Sequence, residues 1–292
     1  MLALMHGDNE VFRANLLGQR WWFVYWKLFG TPDMFTLELD GGVRLHLAPA
    51  RSEPVQLRDD ASFERQFQFA LLPGKAAVLT LKSFAWPDKA RYFAFTRDVF
   101  AQLRAHGVQT LLIDIRANGG GDDDMWLDGI MRYVADKPFR AGASYVKRVL
   151  AGRAEPGQQV GDVVSGEISG WIQPEPNHPL HFGGRVYVLT GAATYSSAIL
   201  FANAVQDFKL GVVAGVGGAA RSRQSGGTQR VSLPNTGLAV SSPRLVITRP
   251  SGQSLPLLFE PGLTLADDPR NPAAMIAAVL AHAGAASGAV KP

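Results

Sequence analysis

Apolar residues recur at helical spacing from Asn9 to Gly30, and the run ends at Gly30, Thr31 and Pro32. That pattern predicts a helix with a firm stop. Phe35-Thr-Leu-Glu-Leu and Val43-Arg-Leu-His-Leu alternate about Asp40-Gly-Gly, the signature of a hairpin. The polar stretch Ala50 to Ser62 reads as a linker. Beyond it the pattern changes to buried strands alternating with helices. Ala77 to Leu81 is a strand, and Arg91 to His106 an amphipathic helix stopped by Gly107. Thr110-Leu-Leu-Ile-Asp-Ile-Arg116 is a nearly continuous apolar strand, as expected where both sheet faces are covered. It breaks at Ala117-Asn-Gly-Gly-Gly121, and a helix runs from Asp122 to about Ala135. Gly-, Pro- and Glu-rich residues 151–184 form a long excursion. Arg185 to Thr190 is a second buried strand, followed by Gly191 to Ala198 and a helix to about Phe208. Gly211 to Gly215, Thr228 to Leu233, Leu238 to Ser241 and Arg244 to Thr248 read as further strands. A last helix spans Pro272 to His282, with a frayed Ala/Gly/Ser tail from Ala283. The alternation predicts an α/β fold, divided into a helical and hairpin lead-in (1–62) and a core (63–292).

Composition narrows the chemistry. The chain has 292 residues, 47% hydrophobic and 18% charged, enough for a sizeable core and unlike collagenous or disordered chains. With no cysteine, a thiolate nucleophile, a disulfide framework and a zinc–thiolate site are all excluded. The net charge of +4 is spread along the chain, so the clustered basic face of a nucleic-acid binder is not expected. Met1 to Asp8 lacks the basic and apolar segments of a signal peptide. Trp21-Trp-Phe-Val-Tyr-Trp26 is bracketed by Arg20 and Lys27, far short of the roughly 20 apolar residues of a membrane span. The aromatic stripe reads as buried packing, with a docking face as the other reading.

Two strand–turn–helix units carry candidate chemistry. In Asn118-Gly119-Gly120-Gly121, successive glycines accept unusual backbone angles and leave peptide N–H groups unshielded. Such a turn offers donors to an anion, either a phosphate or the oxyanion of acyl transfer. It also suits a purely structural close approach of helix and sheet. The lysine and hydroxyl of a phosphate-binding loop are missing. In Thr194-Tyr195-Ser196-Ser197, a serine at a helix mouth past a strand end suits a nucleophile with a neighbouring amide as oxyanion donor. Helix capping explains the same residues without chemistry. Asp122, Asp123 and Asp124 fan around a helix start, where capping and solvation account for them; no metal site or cofactor is expected.

Taken together, Leu111-Leu-Ile-Asp-Ile-Arg-Ala-Asn-Gly-Gly-Gly121, Val186-Tyr-Val-Leu-Thr-Gly-Ala-Ala-Thr-Tyr-Ser-Ser-Ala198 and Val231-Ser-Leu-Pro-Asn-Thr-Gly-Leu-Ala239 resemble the S41 family of serine peptidases, the tail-specific or C-terminal-processing proteases and the tricorn core. The resemblance covers about residues 63–270. It implies a crotonase/ClpP-like core of repeated ββα units. It also implies Ser196 as nucleophile, with the amides of Ser197, Gly120 and Gly119 as oxyanion hole. Arg116 and Asn118 are assigned to shaping the turn. The implied substrate is a peptide or unfolded protein segment. An exported or periplasmic location rests on the resemblance alone, and homo-oligomerisation stays open.

The sequence departs from the family at the base. Tail-specific members use a lysine after the strand that follows the serine helix, but Gly215 to Gly227 has only Arg221 and Arg223, whose guanidinium stays protonated. Lys209 lies at the far end of the serine helix. Tricorn-like members draw a histidine from an upstream segment, and a truncated chain lacking that segment is the expectation here. His6, at the edge where the missing module would join, stands in His-Gly-Asp and does not match the expected base motif, and His46, His106, His178 and His181 read as ordinary surface or core residues. Glu260, in Phe259-Glu-Pro-Gly, is the candidate orienting acid. The leading expectation is a serine endopeptidase. A peptide-binding or scaffolding module without hydrolysis is the runner-up, and a crotonase-type acyl-CoA enzyme the third reading.

Overall fold

The computed structural model describes residues 1–292 except 6, 8, 51–61, 219, 269–270 and 289–292, so His6 and most of the Ala50–Ser62 stretch lie outside the described residues. The chain divides into two compact units, Met1–Gln66 and Phe67–Pro292.

In the first unit, helix α1 (Glu10–Phe29) starts where the Asn9 side chain accepts from Phe12 N at 2.9 Å. It ends at Gly30, which takes φ 74° and donates its N–H to the Trp26 carbonyl. Strands β1 (Phe35–Glu38) and β2 (Arg44–Leu47) pair antiparallel, Phe35 opposite Leu47. A short helix α2 (Phe63–Gln66) closes the unit. The aromatic stripe divides instead of being buried whole. Trp21 and Tyr25 pack on Phe35, whereas Trp22, Phe23, Trp26 and Phe29 are exposed, Trp22 by 50% and Trp26 by 48%. One two-stranded hairpin covers a single face of a helix, so aromatic residues around the rest of its circumference stay in solvent.

The second unit is built on a six-stranded sheet in the order β14-β9-β8-β5-β4-β3. Its strands are β3 (Phe67–Leu72), β4 (Ala76–Leu81), β5 (Thr110–Asp114), β8 (Arg185–Thr190), β9 (Val212–Gly215) and β14 (Leu263–Thr264). Only β3 runs antiparallel to its neighbour; the other pairings are parallel. Helix α4 packs between α3 (Lys89–Ala105) and α5 (Ser197–Asp207), and α5 packs on β8 and β9 of this sheet. Helix α4 is continuous through Asp123–Trp126, a π-helical turn Leu127–Met131 and Arg132–Val134. Helix α6 (Pro272–Gly288) sets Met275, Val279 and Ala283 against Leu112, Tyr187, Leu189 and Ala214. Side chains alternate along a strand, so Leu111 and Ile113 face away from α6. Every residue of β5 is buried, which is why its sequence is an unbroken apolar run.

Two features differ from the sequence expectation. Helix α6 continues past Ala283, whose side chain is buried and whose carbonyl accepts from Arg185 Nη1 at 2.6 Å. Alanine is the best helix former, so an Ala-rich tail with a packing face stays helical. The excursion of residues 151–184 is not loop throughout, since it holds one strand, Val163–Glu167, of a second sheet. Strands β6 (Ser144–Arg148) and β7 (Val163–Glu167) join β10 (Gln224–Gly226) and β13 (Leu245–Ile247) in a four-stranded antiparallel sheet, order β10-β13-β6-β7. The strands expected at 228–233 and 238–241 are present as β11 (Gln229–Ser232) and β12 (Ala239–Ser242), which pair with each other as a separate hairpin.

Met275 is 2% exposed at the centre of the α6 contact. Met275→Ala is expected to lower the unfolding free energy by about 2–5 kcal/mol through lost burial and a residual cavity, measured by urea denaturation. A loss below about 1 kcal/mol would mean that α6 does not anchor this face of the sheet.

Candidate active site

Strands β5 and β8 are parallel neighbours, Asp114 paired with Leu189, so the chain leaves both at the same edge of the sheet. That adjacency delivers the glycine turn after β5 and the serine turn after β8 side by side. Three sets of bonds join them. Ile115 N donates to Leu189 O at 3.0 Å, Tyr195 N to Asn118 O at 3.0 Å, and Thr194 Oγ1 to Ile115 O at 2.8 Å. Thr194 is buried and also accepts from Gly191 N at 2.9 Å, which closes the serine turn on itself.

Asn118 is wholly buried, and its amide binds two different segments. Nδ2 donates to Leu81 O at the end of β4 (3.0 Å), while Oδ1 accepts from Gly120 N (2.8 Å). With its N–H on Ile115 O and its carbonyl receiving Tyr195 N, all its polar groups are matched. Buried amides with full sets of partners fix geometry, because any displacement strands a desolvated donor or acceptor. Arg116 anchors the strand end from outside. It bonds Asp114 bidentately (3.0 and 2.7 Å) and reaches Asp267 (3.1 Å) and Pro272 O (3.0 Å). The hydrogen bond to Asp114 raises its pKa above the ordinary arginine value.

The glycines are required by space. A Cβ on Gly120 (φ 102°) would lie 2.7 Å from Ser196 Cβ and 2.9 Å from Ser197 N. On Gly121 (φ 145°) it would lie 2.2 Å from the Phe84 carbonyl. The turn is therefore wedged between Phe84, which donates its N–H to Gly120 O, and the serine turn.

Ser196 takes φ 53° and ψ −127°, a conformation that costs a non-glycine residue on the order of 1–3 kcal/mol. Its N–H donates to Gln224 Oε1 at 3.0 Å, and its carbonyl accepts from Ile199 N and Leu200 N at the start of α5. Gln224, buried at the start of β10, is held in turn by a bond from Nε2 to Arg221 O. Ser196 is half-buried, and among the described residues its Oγ has no hydrogen-bond partner. Ser197 is different. Its side chain is 3% exposed, with Oγ donating to Asp123 Oδ1 and accepting from Trp126 Nε1 at 3.0 Å. Its N–H makes no hydrogen bond among the described residues, and the same holds for the exposed Gly119.

Ser196 and Ser197 thus lie against Gly120, with the exposed Gly119 preceding it in the chain, but the Gly120 N–H is committed to Asn118 Oδ1. The carbonyl of Glu260 accepts from Gln206 Nε2, and its backbone lies against Gly217 in the loop after β9; no bond joins it to Ser196 among the described residues. His46 pairs with Thr36, His178 with Leu180 N, and His106 caps α3; no described histidine or lysine bonds Ser196. Arg221 lies with Leu258 in an isolated strand bridge, and Lys209 carries its carbonyl to Lys137. The three aspartates do not simply fan apart: Asp122 and Asp124 converge on Lys89, and only Asp123 turns away, to Ser197. Asp122 therefore does not cap α4 with its side chain. Sequence reasoning missed Gln224, Asp123 and Trp126, which lie in a glycine-rich loop, an acidic run and an apolar face without distinguishing spacing.

Asn118→Ala would leave Leu81 O and Gly120 N without partners, at roughly 1–3 kcal/mol each. An overall loss of about 3 kcal/mol in urea unfolding is expected; a loss near zero would show that the turn is held by other contacts.

A model of peptidase family S41 matches residues 75–258, more than half the chain and both turns. The structure is similar to mature CPAF complexed with lactacystin (12% identity, TM-score 0.53, 80% of this chain and 62% of that one). It is also similar to a putative S41 protease from Bacteroides fragilis (21%, 0.50, 86% and 65%) and a putative peptidase from Parabacteroides merdae (18%, 0.50, 74% and 64%). At these identities the likeness is one of fold, and the chain spans less than two thirds of each of those structures. No curated protein matches. By the family match across both turns, the chain belongs to peptidase family S41.

Proposed function

We propose that this chain carries the nucleophile and oxyanion-binding half of a serine peptidase that cleaves unfolded or C-terminal peptide segments. The observation that carries the reading is the backbone of Ser196, strained at φ 53° and pressed against Gly120, with an unbonded hydroxyl. A strand-to-helix turn of this kind thrusts a serine oxygen out beside the first amides of the helix, the arrangement that acyl transfer uses. Ser196 Oγ would attack the scissile carbonyl carbon and give up its proton to a base. The carbonyl oxygen, now negative, would be received by the N–H groups of Ser197 and Gly119. Each such donor is worth about 3 kcal/mol of transition-state stabilisation. Gly120 we assign to close approach and not to donation, since its N–H is already held by Asn118.

The base we place on a segment outside the described residues, because no described lysine or histidine bonds Ser196. Gln224 holds the Ser196 amide but is itself no base. We read the β3-β4-α3 succession as the first ββα unit of a crotonase/ClpP-like core, with residues 1–62 as a lead-in. The same lack of a bonded base favours the second reading, a module that binds peptides without cleaving them.

A fluorophosphonate probe separates the two, tested with and without imidazole as a diffusible base. The peptidase reading expects covalent labelling that imidazole accelerates and Ser196→Ala abolishes. No labelling under either condition would leave the binding module.

A further inference from the structure

The two N–H groups assigned to the oxyanion belong to different loops, so their separation depends on what ties the loops together. Asn118 ties them on the strand side. On the helix side a cluster of three side chains does so. Asp123 opens α4, four residues after Gly119, and accepts from Ser197 Oγ, the first residue of α5. Trp126 Nε1 donates to both Asp123 Oδ1 (3.2 Å) and Ser197 Oγ (3.0 Å) from a fully buried indole that packs on Phe201 of α5.

The arrangement has two consequences for the Ser197 amide. It draws the Ser197 hydroxyl into the wall between α4 and α5, where it cannot fold back to occupy the pocket. It also fixes the first turn of α5 relative to the glycine turn, so that the amide of Ser197 keeps its orientation beside Gly120. A sub-ångström rotation of that turn would cost little stability but would misdirect the donor.

Resting on the peptidase reading, we infer that Asp123 is a positioning residue: as hydrogen-bond acceptor for Ser197 Oγ and Trp126 Nε1, it holds the Ser197 N–H on the oxyanion. The acceptor atom matters and the charge does not. Asn in place of Asp keeps a carbonyl oxygen for both donors, whereas Ala leaves the Ser197 hydroxyl without its acceptor and the Trp126 N–H with Ser197 Oγ alone.

The test uses the full chain and a peptidyl fluorophosphonate, with the bond-forming rate constant and the reversible binding constant determined separately. Asp123→Ala and Ser197→Ala are expected to slow bond formation by ~tenfold or more with the binding constant unchanged. Asp123→Asn is expected to stay within about threefold of the parent chain. The Asp123→Ala/Ser197→Ala double variant should be no slower than either single one, since both remove the same tether. Thermal melting of each variant identifies any that fails to fold, and Asp123→Asn set against Ser197→Ala then decides. Bond formation in Asp123→Ala at the parent rate, equal slowing in Asp123→Asn, or additive losses in the double variant would each overturn the inference while leaving the nucleophile in place. Failure of the parent chain to label at all would overturn the peptidase reading and this inference with it.

Discussion

The site depends on one buried amide. Asn118 spans three pieces of chain that are distant in sequence: the end of β4 through Leu81, the glycine turn through Gly120, and the serine turn through Tyr195. In water such bonds are exchanged for others at little net gain. Buried, each becomes obligatory, because the group it satisfies has no alternative partner. The low polarity of the surroundings thus converts a modest interaction into a geometric constraint.

Around that constraint, the remaining features are matters of space. Parallel β5 and β8 bring the two turns to one edge, and the missing side chain of Gly120 lets them touch. The contact in turn holds Ser196 in a conformation it would not adopt alone. Gln224 and the first turn of α5 grip its N–H and carbonyl, so the strain is spread over several bonds. What is left unbonded is one hydroxyl and the amides beside it. A second tie, Asp123 with Ser197 and Trp126, joins helix to helix where Asn118 joins strand to loop.

Much of this architecture was legible in the sequence where burial is complete. The run Thr110 to Ile115 reads as a strand because both its faces are covered, and glycine at 119–121 marks a turn that tolerates no side chain at 120 or 121. Elements that are half exposed were harder to read. β6 and β7 mix polar residues and glycine with few apolar ones, and they exist because their partners in the second sheet supply the pairing. The aromatic stripe of α1 misled for the opposite reason, since composition states how apolar a helix is but not how much neighbouring surface is on hand to cover it. The partners of the site were least legible. Gln224 is 28 residues from Ser196, and Asp123 is 74 from Ser197. Nothing local distinguishes that glutamine or that aspartate from its neighbours; only the folded chain selects them.

The most direct measurement of the central claim is a crystal structure of the chain after reaction with a fluorophosphonate. The account predicts a phosphorus bonded to Ser196 Oγ, with its terminal oxygen about 3 Å from the N–H groups of Ser197 and Gly119. It also predicts Asn118 still bridging Leu81 and Gly120. An adduct on another residue, or an oxygen turned to solvent with those amides bonded elsewhere, would contradict it.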